Sequence, residues 1–161
     1  MHTSMQGMTL VEMMVVLALI GIGMTIATPS FNAMMGRNQA ATQINELVSA
    51  INLARSEASK SSGSVSVLAK NPGAGFDFIN GWCVVAGTPA DCTGTVIRDF
   101  PALINVVSVK SESGSIQFNS FGEVNPAATR TFKFCSAAKE RVITITPVGR
   151  SKIADAVAAD C

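Results

Sequence analysis

Few residues in this chain have the types and spacing that bond chemistry needs. His2 is the single histidine, and there is no tyrosine. A histidine zinc site, a Ser-His-Asp triad or a Cys-His dyad would each have to use His2, at the very start of the chain. No glycine-rich phosphate loop followed by Lys-Ser or Lys-Thr occurs. What remains is one carboxylate in an apolar setting, four cysteines and one cluster of cations. The carboxylate is Glu12, at the edge of the uncharged run Met13–Thr28. Burying it there costs roughly 3 kcal/mol or more, which signals a partner or a function. Cys83, Cys92, Cys135 and Cys161 form no CxxC pair and so fit a zinc ribbon poorly. Their even number fits disulfides in an oxidising compartment, with three pairings open. Closeness in sequence favours Cys83–Cys92, and Cys135–Cys161 would pin the C-terminus. Four buried free thiols are the alternative. The cations are Arg130, Lys133, Lys139, Arg141, Arg150 and Lys152, against Glu140 alone in the same stretch. Gly149-Arg150-Ser151-Lys152 sets two of them beside a glycine turn that is expected to expose both at a tip. These residues argue against an enzyme, and no catalytic residue, cofactor or metal is assigned. Ser/Lys or carboxylate-only chemistry on a membrane anchor is the enzymatic alternative, and perturbed carboxylates clustered in a cleft would mark it.

The elements that must position these residues follow from composition and periodicity. At 48% apolar and 14% charged, the chain is too hydrophobic for intrinsic disorder. Its 161 residues suit one domain plus one extra element. The formal net charge of +1 gives no global field for nucleic acid and hides the basic segment 130–152. A membrane helix needs about 20 mainly apolar residues, a length that the apolar run reaches by extending back to Met8 and taking in Glu12. Beyond it, Ile44, Leu47, Val48, Ile51, Ala54 and Ala58 fall at helical spacing on one face. Ser59-Lys60-Ser61-Ser62-Gly63 then stops the helix. Thr9–Lys60 therefore reads as one helix of about 78 Å, with Pro29 as its expected bend. Its second half is expected to lay the Ile44 stripe on a sheet.

From Ser64 onward, alternating strands are expected at Ser64–Lys70, Asn80–Ala86, Thr95–Phe100, Ile104–Lys110, Ser115–Asn119, Thr129–Cys135 and Arg141–Pro147. Asn71-Pro72-Gly73, Ser113-Gly114 and Phe121-Gly122 supply the turns. Phe76, Trp82, Phe118, Phe132 and Phe134 sit at strand positions and read as core. The fold class is α+β, a long helix on an antiparallel sheet.

Three readings of the N-terminus compete. A secretory signal peptide is a poor fit, because MHTSMQ has no Lys or Arg and the run ends in Thr28-Pro29 rather than a small-x-small site. A plain anchor leaves Glu12 unexplained. The third starts from Gly7-Met8-Thr9-Leu10-Val11-Glu12 and the apolar run, which resemble the prepilin cleavage motif of type IV pilins and pseudopilins. Pro29 also falls where these proteins commonly carry a kinking proline. The chain departs from most of the family in having Met8 rather than Phe after the cut, and a leader without Lys or Arg. The resemblance implies cleavage after Gly7 by prepilin peptidase, methylation of the new N-terminus at Met8, and pairing of Glu12 with the Met8 ammonium of a neighbouring subunit. A glutamate sitting at headgroup level is the simpler alternative for Glu12. The implied organisation is a leader over 1–7, the long helix over 8–60 with its 8–29 part transmembrane, and a β-rich periplasmic headgroup over 61–161.

Leu53-Ala54-Arg55-Ser56-Glu57-Ala58 narrows the resemblance to the GspH/FimT branch of minor pilins and pseudopilins. Gly81-Trp82, Phe118 with Phe121-Gly122, Phe134-Cys135 and Gly149-Arg150 are similar to the same branch. Arg55 is expected to pair with Glu57 or a neighbour. The resemblance implies a type IV pilin fold, a place in the bacterial inner membrane and then in a pilus, and other pilin subunits as partners. In DNA-binding members of that branch the matching site reads Gly-Arg-x-Arg and contacts DNA. The resemblance thus extends to weak, non-specific contact with double-stranded DNA through Arg150 and Lys152, for uptake in natural transformation. Lys139 and Arg141 would extend the site if they share its edge. A solvated hairpin without a ligand is the alternative. A type II secretion pseudopilin is the rival within the family, from which Cys161 and Gly149–Lys152 turn the reading toward a pilus.

Overall fold

The computed structural model describes residues 8–70, 77–104, 108–136 and 140–156, and the side chains of 25–30 and 33 lie outside that description. It divides into two compact units, Met1–Gly36 and Arg37–Cys161. A single helix, α1 (Leu10–Ser61), contributes to both, and its helical backbone runs through Pro29. Its bounds lie one residue from those expected. The stop has a defined chemistry. Ser62 takes the left-handed conformation (φ 51°), and the Gly63 N–H reaches back to the Ala58 carbonyl at 3.2 Å. That is a Schellman-type cap, with serine in the place more often held by glycine. Lys60 stands in the last turn, where the helix dipole favours a cation.

In the second unit α1 buries Ala40, Ile44, Leu47, Ala50, Ile51, Ala54 and Ala58. The stripe is the expected one, widened by Ala40 and Ala50, while Val48 only borders it. Among the described residues eight strands follow: β1 (Val65–Ala69), β2 (Trp82–Ala86), β3 (Val96–Phe100), β4 (Ser108–Ser111), β5 (Ser115–Phe118), β6 (Arg130–Cys135), β7 (Arg141–Ile145) and β8 (Ser151–Asp155). All pairs are antiparallel, in two four-stranded sheets ordered β3-β2-β1-β5 and β4-β6-β7-β8. Six strands lie where the alternation predicts them. β4 overlaps its expected span Ile104–Lys110 only from Ser108, Ile104 being outside any strand and 105–107 outside the described residues, and β8 was expected to be part of an exposed tip. Trp82, Phe118, Phe132 and Phe134 are fully buried, as expected. Phe76 lies outside the described residues.

The first sheet is covered on both faces. Val65, Val67 and Ala69 of β1 join the main core against α1, and Leu68 points the other way, into a small cluster with Cys83, Val85 and Cys92. Cys83 and Cys92 are joined in a disulfide, as their spacing suggests. The bridge closes a loop with a sequence separation of 9, and it caps the rear cluster. Loop-closure entropy for that length is worth about 2–3 kcal/mol. Cys135 is disulfide-bonded as well, whereas Cys161 lies outside the described residues.

Among the described residues no helix is long and apolar enough to cross a membrane. The described side chains of the apolar run stop at Met24, while the run itself continues to Thr28.

Candidate functional site

The first candidate region is the start of α1. Thr9 precedes the first helical residue, and Glu12 follows three positions later. The Thr9 N–H donates to Glu12 Oε2 at 3.3 Å, and the Glu12 N–H donates to Thr9 Oγ1 at 3.3 Å. This reciprocal pair is a capping box, which satisfies helix N–H groups that have no partner within the helix. Glu12 therefore has a partner within its own chain. Thr9 caps the helix, and Thr-x-x-Glu ahead of an apolar run is the sequence signature of this cap. Beyond the cap, Leu10, Val11, Met14, Leu17, Leu19 and Ile22 are all exposed. So large an exposed apolar surface marks a segment that needs lipid or a protein neighbour. Gly7 lies outside the described residues, and Met8 is exposed next to the cap.

The second region is in the other unit, around Gly149. Arg55 does not pair with Glu57, which instead binds Lys60 at 2.8 Å. Its guanidinium reaches two turns. Arg55 Nε donates to the Gly122 carbonyl at 3.1 Å, and Nη1 donates to the Gly149 carbonyl at 3.4 Å. Both glycines are buried and left-handed, with φ of 74° and 78°. A Cβ on Gly149 would drive into the Gly122 carbonyl oxygen and meet Arg55 Nε at 3.0 Å. The Val124 N–H, donating to the Pro147 carbonyl at 2.8 Å, ties the same two turns together. Helix, Gly122 turn and Gly149 turn thus form one knot. Arg55, Gly122 and Gly149 were read as separate family features, and the structure brings them into contact.

That knot aims the cations. The Arg150 N–H donates to Thr146 Oγ1 at 3.2 Å, and the Arg150 carbonyl accepts from the Thr146 N–H at 2.9 Å. These bonds start β8, so Lys152 stands on a strand rather than on the expected tip. Arg150 and Lys152 are both exposed. Lys152 lies on β8, and Arg150, two positions before it, stands just ahead of the strand's first residue. Lys152 lies opposite Thr144 of β7, whereas Arg141 lies opposite Asp155. Arg141 has the strand parity of buried Ile143 and Ile145, and its Nε binds Asp155 at 3.0 Å. The structure therefore places Arg141 on the opposite face from Lys152. Lys139 lies outside the described residues. The cations that do share the face of Lys152 are Lys133 and Lys110. They alternate with buried Phe132, Phe134 and Val109 and so point outward. The parity of their strands could have located them.

Among the described residues no group of His, Cys, Asp or Glu could hold a metal ion. Asp91, in the loop closed by the Cys83–Cys92 bridge, is held below the ordinary carboxylate range by hydrogen bonds from the Thr93 hydroxyl and then the Thr93 N–H.

Comparison with known proteins bears on both regions. Residues 43–149 match the family described as type II transport protein GspH. Residues 3–28 match the prokaryotic N-terminal methylation motif. A search among curated proteins finds no match. Two crystal structures of the type IV minor pilin FimU of Pseudomonas aeruginosa are similar in fold. The P21 form aligns at 21% identity over 73% of this chain and 90% of that one, with a TM-score of 0.63. The P65 form aligns at 22% identity over 71% and 90%, with a TM-score of 0.59.

Proposed function

This chain belongs to the GspH family of pilin-like proteins, and from that premise we propose that it is a minor type IV pilin. It is made as a prepilin, cut after Gly7 by prepilin peptidase and methylated on Met8. Residues 8–29 then hold it in the inner membrane, with the headgroup in the periplasm, until it joins a pilus of other pilin subunits. The observation that carries this reading is the order of parts in one chain. A methylation motif over 3–28 leads, within one helix, into a GspH headgroup over 43–149. The exposed apolar surface of Leu10–Ile22 supports it, because such a surface needs lipid before assembly and neighbouring helices after it. Its mechanism is association. In the filament Glu12 exchanges its local cap for the Met8 ammonium of a neighbour, and pairing the two charges offsets desolvation and selects one axial register. Cys135–Cys161 is the second bridge and closes the end of the headgroup.

A second reading concerns DNA. Exposed Arg150 and Lys152, two positions apart beside the Gly149 turn, support weak contact with duplex phosphates. Lysine in place of a second arginine keeps the charge and loses the bidentate fork, so phosphate contact without sequence readout is expected.

The pilus and the type II secretion machine are separated by loss of the gene. Deletion is expected to remove or sharply reduce surface pili while type II secretion proceeds at the parental level. Normal piliation with blocked secretion would assign the chain to the secretion pseudopilus instead.

A further inference from the structure

Resting on the proposed stage in which the chain is held in the membrane, we propose that a cleft where α1 enters the headgroup binds the phosphate of an anionic phospholipid. The cleft holds about 260 Å³ between α1 and the β7–β8 ladder. Its polar lining is Arg37, Asn45 and Arg141, and its apolar lining includes Ala40, Ile44 and Ile153. Helical spacing and strand register bring these residues together. Arg37, Ala40 and Ile44 follow at steps of three and four, so they share the face of α1 that farther along fills the core. Ile153 lies opposite Ile143 and shares the inward face with Arg141. The buried stripe of α1 therefore ends at a place with a guanidinium on each wall.

Every polar side chain that lines the cleft can donate hydrogen bonds, and no carboxylate lines it. Arg141 uses Nε on Asp155 at 3.0 Å, and its guanidinium carries four further N–H donors. Even with Asp155 counted, the two guanidiniums leave one net positive charge. These groups match a phosphodiester above an apolar neck. Arginine forks take phosphate oxygens in pairs, and Ala40, Ile44 and Ile153 suit the first carbons of a lipid's glycerol and acyl chains. Position selects a lipid over a free phosphate. Along α1, Arg37 follows Pro29 by eight residues, a rise of about 12 Å. The polar layer of a bilayer is about 6 Å deep on each side, and a long arginine side chain reaches back toward it. The apolar floor points the same way, because a bare phosphate gains nothing from it. The contact holds the headgroup at the bilayer surface until assembly.

The test titrates the full chain in non-ionic detergent with short-chain phosphatidylglycerol, short-chain phosphatidylcholine or inorganic phosphate, and reads the bound adducts by native mass spectrometry. Phosphatidylglycerol is expected to bind in preference to both of the others. A cation beside an anionic lipid contributes about fivefold in affinity, so Arg37→Gln is expected to weaken phosphatidylglycerol binding about fivefold and Arg37→Gln/Arg141→Gln roughly thirtyfold. Arg37 is exposed, so its single variant keeps the test open if the double variant misfolds. Lys110→Gln, which removes a cation from the outward face of the second sheet, is expected to bind as wild type does. If alkaline washing strips the wild-type chain from membranes, the anchored reading and this site fall together. If the chain stays anchored but takes both lipids equally, or keeps its preference in the Arg37 and double variants, the site alone is overturned. Inorganic phosphate bound as tightly as phosphatidylglycerol would make the cleft a site for free anions and overturn the lipid. Variants that bind lipid normally but fail to enter pili would assign the cleft to a neighbouring subunit instead.

Discussion

Replacing Gly149 with valine is expected to destabilise the headgroup by roughly 3–5 kcal/mol, from a forced left-handed β-branched residue and a steric collision. At φ 78° the new side chain is strained whatever the space around it. Its Cβ also meets the Gly122 carbonyl oxygen and the Arg55 guanidinium, neither of which can retreat without breaking the knot. Arg55→Ala is the gentler companion. It removes two hydrogen bonds from a half-buried cation and leaves both turn carbonyls without that donor, at about 2 kcal/mol. Thermal unfolding should fall by roughly 10 °C or more for the valine variant and by about half that for the alanine variant. Melting within about 2 °C of wild type for both would mean that the contact between the turns does not hold the headgroup together.

The contrast between α1 and this knot shows what could be read from the chain. Helix and strand positions came from local pattern. Apolar spacing at Ile44, Leu47, Ile51, Ala54 and Ala58 located the buried face, and alternation located β1 to β3, β5 to β7 and, over Ser108–Lys110, part of β4. The division into two sheets was not legible. It depends on β4 pairing with β6 while β5, only a few residues on, pairs with β1. β8 was missed because Ser151–Asp155 carries one large apolar residue, Ile153, and is almost wholly exposed. Its ladder with β7 alone makes it a strand. Arg55 was read against its sequence neighbours, yet its partners lie 67 and 94 positions away. In the cationic region the residue types and the parity of Lys110 and Lys133 were legible, and the pairing between strands was not. Arg141 and Lys152 look equivalent until the register puts one opposite Asp155 and the other opposite Thr144.

Glu12→Ala is expected to leave cleavage and methylation intact and to lower incorporation into pili by roughly a hundredfold or more. Removing one partner of a buried ion pair costs roughly 3–5 kcal/mol, and each 1.4 kcal/mol is about tenfold. Glutamine separates the two roles of Glu12. Glu12→Gln keeps the acceptor that closes the Thr9 capping box, because Gln serves in that motif as Glu does, but it loses the charge. If the charge selects the register, the glutamine variant is as defective as the alanine variant. If it assembles normally, the residue acts as a cap and the pairing argument fails. Immunoblots of sheared pili against the membrane fraction read both outcomes.

The central claim is that this chain is a processed pilin, and the intact mass of the chain recovered from sheared pili tests it most directly. The account predicts a single species that begins at Met8. It should be heavier by one methyl group and lighter by the hydrogens of two disulfides, with the second bridge joining Cys135 to Cys161. Recovery only from membranes, with the chain starting at Met1 despite active prepilin peptidase or cut near Ala27, would contradict it.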